Sequence, residues 1–217
     1  MLSKTHTQRA RGGRAMKAYK FRASSQFDAT LDIIFNRRLY CADWSRLNDP
    51  MEGRFVYAFS SGNGGDPNKE MGRIIREKER LRVCSLSKTF TSHLLWAHYA
   101  SGFDGLAIEV ELPAHPSIRE ISYISDIRTI EQDESPNPRA LAQQVLTSKY
   151  SEWKYEKEVR ILQEGEFYSL TKSPTAVLAG HRMKPALLRA LEIVCSAQQI
   201  PLKRIDLSSG RVRIQKQ

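Results

Sequence analysis

KYSEWKYEKEVRIL, residues 149–162, packs aromatic residues, two glutamates two positions apart and an arginine into one short run. From Tyr155 onward charged and apolar residues alternate. This predicts a strand running to about Leu162, which Gly165 breaks. In such a strand Tyr155, Lys157, Val159 and Ile161 share one face, and Glu156, Glu158 and Arg160 share the other. Three charges in a row on one face need water, each other or a ligand. Neighbouring carboxylates raise one another's proton affinity, and the arginine opposes that. A polar strand face knit by its own ion pairs fits the pattern, as does a helical Glu156–Arg160 pair. A carboxylate that acts as a base or steadies developing positive charge fits it too.

Working towards the N-terminus, Gly105–Leu112 alternates most clearly and predicts a strand with Leu106, Ile108, Val110 and Leu112 inward and Ala107, Glu109 and Glu111 outward. His93–Ala100 predicts a helix capped by Ser92, in which Trp96 and Tyr99 lie three apart on one face. Val83–Ser87 reads as a buried strand with small hydroxyl residues. Phe27, Leu31, Ile34 and Phe35 recur at helical spacing, so residues 25–37 read as a helix between strands at Tyr19–Arg22 and Leu39–Ala42. Asn48-Asp49-Pro50 is a turn by its own chemistry, since Asn and Asp side chains bond nearby amides and Pro50 biases Asp49 away from helix. Residues 61–68 are loop-like. On the other side of the opening run, Asn137-Pro138 starts a helix expected to run towards Trp153, Pro185 starts another, and residues 203–214 form a terminal hairpin around Ser208-Ser209-Gly210.

These elements mix without regular βα alternation. The expected fold class is α+β: one domain over residues 18–217, of short mixed or antiparallel strands, about eight in number, with about five helices. Residues 1–17 carry five bases and no acid and read as a disordered basic tail. The net charge is +10, so +5 remains outside that tail (10 − 5). The tail and the 69–82 helix, with six bases against three acids, are the expected contacts for nucleic acid. A solubilising extension and a solvated helix face are the alternatives. No apolar run is long enough to cross a membrane, no secretory signal is evident, and three dispersed cysteines fit a reducing, cytoplasmic setting. Cys84 has no basic motif beside it in sequence and reads as core. Neither HExxH nor GxSxG occurs, and no metal site is expected.

The motifs LYCADWSRLNDPMEG, VCSLSK, LLWAHYASGFDGLAIEVEL, WKYEKEVRIL and GHRM, in that order over residues 19–214, resemble bacterial and phage proteins of the domain-of-unknown-function family 2971. That family brings no activity with it. The order of elements is also similar to DNA- and RNA-directed ADP-ribosyltransferases. This resemblance implies an ADP-ribosyltransferase-like fold, NAD as cofactor and a late-strand glutamate as the key carboxylate. It assigns Glu158 or Glu156 to the nicotinamide ribose, with Glu158 favoured for its place between Glu156 and Arg160. Lys20 and Arg22 would hold pyrophosphate, although Lys20 stands where those families prefer His or Arg. Trp96 or Tyr99 would stack on a ring, Asn48 and Asp49 would shape the mouth, and Arg160 joins the cofactor-binding set.

The implied function is an enzyme using NAD to modify nucleic acid or protein, in a phage-defence setting. Two other readings stand beside it. One is a non-catalytic nucleic-acid-binding module. The other is a metal-dependent nuclease built on Asp49, Glu52, Glu156 and Glu158, with Lys149 in support.

Overall fold

The computed structural model describes residues 15–58, 66–132 and 137–215. Most of the expected basic tail, residues 1–14, lies outside them, as do residues 61–65 of the loop-like run. Met16 and Lys17, the last residues of that tail, already belong to a strand. In chain order the strands of the first half are β1 (Met16–Arg22), β2 (Arg38–Tyr40), β3 (Ala42–Asp43), β4 (Val56–Ala58), β5 (Arg82–Ser87) and β6 (Leu106–Leu112). Those of the second half are β7 (Ile118–Glu120), β8 (Ser122–Ile124), β9 (Thr129–Glu131), β10 (Ser148–Tyr150), β11 (Glu158–Gln163), β12 (Phe167–Ser169), β13 (Ala176–Ala179), β14 (Leu202–Asp206) and β15 (Arg213–Ile214). The helices are α1 (Phe27–Asn36), α2 (Pro67–Glu79), α3 (His93–Tyr99), α4 (Pro138–Leu146) and α5 (Pro185–Ala197). The fold is α+β, as its sequence predicts.

One sheet dominates, in the order β15-β14-β13-β6-β1-β5-β11-β7, with β3 also joined to β5. β1 pairs along its whole length with β6, from Met16↔Leu112 to Arg22↔Leu106. Its other edge meets β5 at Tyr19↔Ser87 only. β5 then takes a different partner, β3, at Ala42↔Val83 and Asp43↔Arg82. The sheet therefore splits between β1 and β3, and Ser85 sits in the opening.

Both faces of the sheet are covered. Ile33 and Ile34 of α1 and Leu191 and Cys195 of α5 pack on one face, against Ile108, Val110, Leu86 and Ile161. Leu95 and Trp96 of α3 pack on the other, against Tyr19, Phe21 and Leu178. A third cluster joins α2 and α4 to Val83 and Leu162. Two-sided cover corrects the expectation that Ala107 and Glu109 face outward: Ala107 is buried, and Glu109 is buried against Tyr19, Lys17 and Thr175. Gly105 enters β6 so close to β1 that a Cβ there would lie 2.2 Å from the Arg22 carbonyl oxygen.

Two local expectations fail at the opening stretch. The helix from Pro138 ends at Leu146, well short of Trp153. Thr147 Oγ1 and Ser148 Oγ donate to the carbonyls of Gln143 and Gln144, and this side-chain competition closes the helix. Residues 148–150 then pair in parallel with β8. The strand begins at Glu158, because residues 151–156 form a 3-10 turn and Lys157 takes a left-handed conformation, φ 45°. Glu156 belongs to the turn and Glu158 to the strand.

Candidate active site

The split between β1 and β3 opens into a cleft of about 440 Å³. Lys20 and Arg22 stand on one side of it, on β1. The half-buried Lys20 donates its Nζ to the Ser85 carbonyl across the gap, at 2.8 Å. Arg22 places its Nε in the interior with no hydrogen-bond partner. Neither base meets a carboxylate within ion-pair distance among the described residues. Burial pulls the pKa of both down, with the neighbouring Cys84 acting in the opposite sense. Two desolvated cations without an anion favour whatever anion enters.

The other side of the cleft carries carboxylates. Tyr99 OH donates to Glu156 Oε1 at 2.6 Å, and Asn48 Nδ2 donates to Tyr99 OH at 2.7 Å. Lys149 Nζ donates to Glu156 Oε2 at 2.7 Å and to Glu158 Oε2 at 3.2 Å, and lies 3.0 Å from Glu52 Oε1. Arg160 donates through Nε to Glu158 Oε1 at 2.7 Å and through its terminal nitrogens to Glu52 and to the Leu146 carbonyl. The five buried side chains number three acids and two bases.

The two glutamates differ in character. Burial works against the Glu158 anion, but Arg160 and then Lys149 outweigh it and hold its pKa down at about 2. Glu158 is a permanent anion with both oxygens engaged. For Glu156 burial wins, and its pKa is raised despite Lys149 and the Tyr99 hydrogen bond. The sequence favours Glu158 by placement, whereas burial in the structure raises the proton affinity of Glu156. Lys149 is held charged, because Glu158, Glu52 and Glu156 together overcome its own burial.

Of the nine residues the sequence proposed, Lys20, Arg22, Asn48, Tyr99, Glu156 and Glu158 line this one cleft. Three do not. Trp96 is fully buried, donates Nε1 to the Phe90 carbonyl at 2.7 Å and stacks on Phe103, so no ligand ring reaches it. Asp49 folds back on Met51 N and faces a separate cavity bordered by Trp44 and Lys78. Arg160 is sealed behind Glu158.

Glu52 and Lys149 enter the sequence reading only through the nuclease alternative, Glu52 as one of its acids and Lys149 in support. Here Lys149 is paired with Glu52, Glu156 and Glu158, and Glu52 also with Arg160. Among the described residues no group of three or more His, Cys, Asp or Glu side chains is arranged to hold a metal ion. Cys84 is core, as expected, yet it is not electrostatically plain. A hydrogen bond from Cys41, then Lys20 and Arg22, pulls its thiol down against burial. Those bases lie on β1, far away in sequence, so no local motif announces them.

The expected 69–82 helix ends at Glu79 as α2, with Arg82 already on β5, and offers less to nucleic acid than its composition promises. Lys78 is buried over the Trp44 ring and donates to the Gly53 carbonyl. Arg73, Arg80 and Arg82 are tied to Glu70, Glu77 and Asp43. Among the described residues no helix is long and apolar enough to cross a membrane. Comparison with protein-family models, with curated proteins and with solved structures gives no match.

Proposed function

We propose that the cleft binds NAD and that the protein transfers its ADP-ribosyl group to a nucleic acid or protein acceptor. The observation that carries this reading is the pairing, within one cleft, of two β1 cations that meet no carboxylate among the described residues with the Tyr99–Glu156–Lys149 cluster opposite. Lys20 and Arg22 suit a pyrophosphate, and Arg22 Nε has a donor to give. When bound, NAD supplies a ribosyl carbon whose glycosidic bond breaks with its electron pair leaving on nicotinamide. Glu156 Oε1 and the Tyr99 hydroxyl oxygen would accept from the ribose hydroxyls, since the Tyr99 proton is already donated to Glu156. Glu156 also takes the proton that the acceptor's oxygen or nitrogen loses as it bonds to that carbon. The fixed Glu158 anion favours the positive charge that develops on the sugar, and Lys149 holds both carboxylates in place.

The test is incubation of the full chain with labelled NAD and RNA, DNA and protein acceptors, alongside calorimetry with NAD. Label transfer that Glu156→Gln removes supports the reading. No transfer, no loss of NAD and no NAD binding would sink it.

A further inference from the structure

A row of aromatic rings leads from the surface to Tyr99 in the cleft, and nothing in the proposed chemistry of NAD uses its outer members, Trp153, Tyr155 and His98. Trp153 and Tyr155 of the 3-10 turn lie 6.1 Å apart, centroid to centroid, at 37°. Tyr155 is followed by His98 at 6.4 Å and 38°. His98 is followed by Tyr99 at 6.3 Å, and Tyr99 OH is the group on Glu156. His98 is exposed, while Trp153 and Tyr155 are half-buried. Only His98 and Tyr99 line the cleft; Trp153 and Tyr155 lie outside it. Lys149 Nζ sits 4.7 Å from the Trp153 centroid and supports that ring from the protein side.

Charge accompanies the row. Lys154 and Lys157 flank Tyr155 in sequence and are exposed, and Arg46 is exposed at the cleft. None of the three makes a salt bridge among the described residues. Glu152 is the exposed acid in the same turn. Half-buried rings in sequence with unpaired cations are the two components of a single-strand platform: bases stack on the π-faces and the backbone follows the cations. A duplex keeps its bases stacked inside and gives such rings nothing to hold.

We propose that the Trp153–Tyr155–His98 row binds single-stranded nucleic acid and delivers one nucleotide to Tyr99 and Glu156. The row's role as acceptor platform rests on the transferase reading; its affinity for a single strand does not. The row thus selects nucleic acid over protein as the acceptor.

The experiment is fluorescence anisotropy of the full chain, without NAD, on labelled single-stranded DNA and RNA dodecamers and on a duplex of the same length. Tighter binding of a single strand than of the duplex is expected. Tyr155→Ala should weaken single-strand binding about 5- to 100-fold, the range that the loss of one stacked base gives, and leave duplex binding unchanged. Tyr155→Phe keeps a ring and should restore affinity, and unchanged thermal unfolding of both variants separates stacking from folding. The basic residues near the N-terminus bind any polyanion, so equal affinity for duplex and single strand, or indifference to Tyr155→Ala, overturns the proposal. So does an absence of binding. NAD calorimetry on the same samples keeps the two failures apart: NAD bound without oligonucleotide sinks only the platform, and oligonucleotide bound without NAD sinks only the transferase.

Discussion

At the scale of single residues, the Tyr99–Glu156 hydrogen bond makes a prediction with a definite sign. Glu156 must be ionised to take a proton, and burial raises its pKa, so activity should rise with pH along a limb above the ordinary glutamate value. The Tyr99 hydroxyl lowers that pKa by bonding the anion. Tyr99→Phe should therefore move the limb to higher pH, as a pH–rate profile of NAD turnover will show. Arg22 makes a second prediction. Its guanidinium has no carboxylate to lose, so Arg22→Met should leave thermal stability nearly intact. It should weaken NAD binding by about 10- to 100-fold, the value of a charge-assisted hydrogen bond, measured by calorimetry.

Six site residues were legible as types in a pattern because each carries its chemistry openly: a base on a strand, an amide in a turn, a paired acid. Trp96 misled because helical spacing says which residues share a side of a helix, not which side is covered. Phe103 and Phe21 decide that, and neither is on α3. The choice between Glu156 and Glu158 was not legible at all. It turns on Arg160 closing on one carboxylate and on Lys149 arriving from β10.

At the scale of elements, the helices and strands that periodicity predicts mostly lie where it puts them, including the β6 strand and the terminal pair Ile205↔Ile214, but the described residues hold fifteen strands against the about eight expected, several of only two or three residues. The misreadings cluster at residues 147–157, where hydroxyl side chains end α4 early and a left-handed Lys157 delays β11. A period-based reading cannot see either event, since each depends on a single side chain or dihedral. The contact between β1 and the entry to β6 is equally local and equally strict. Gly105→Ala puts a methyl against the Arg22 carbonyl oxygen and also close to the Ala100 backbone. Neither neighbour is a flexible side chain. Urea denaturation should record a loss of roughly 1–3 kcal/mol, the usual cost of forcing extra volume into a packed site.

At the scale of the whole molecule, the buried cluster of Glu52, Lys149, Glu156, Glu158 and Arg160 joins the turn after Asn48, the end of α4, β10 and β11. Removing Arg160 as Arg160→Leu leaves Glu158 and Glu52 without their strongest partner. A loss of about 3–5 kcal/mol is expected, as for other broken buried pairs, read by chemical denaturation. The same cluster sets an acid limit. Glu158 titrates near 4.5 when unfolded and at about 2 when folded, so its contribution is present above 4.5 and is lost as the pH falls from 4.5 towards 2. Arg160→Leu should flatten the stability profile in that window. None of this was readable from the overall charge of +10, which describes a surface and says nothing of an interior that holds more acids than bases.

The change of partner along β5 has a consequence in time as well as in space. Ser87 is paired with β1 and Val83 with β3, while Ser85 lies between the two ladders, with Arg160 of β11 on its other side and its carbonyl accepting from Lys20 Nζ. A backbone amide at such a gap lacks the protection that neighbouring strand amides enjoy. In deuterium, Ser85 should exchange its amide proton far sooner than its neighbours Cys84 and Leu86 on the same strand. A ligand that fills the gap should slow that exchange while leaving Cys84 and Leu86 as they were. One amide in the middle of the largest sheet thus serves as a clock for whether the cleft is filled, whatever fills it.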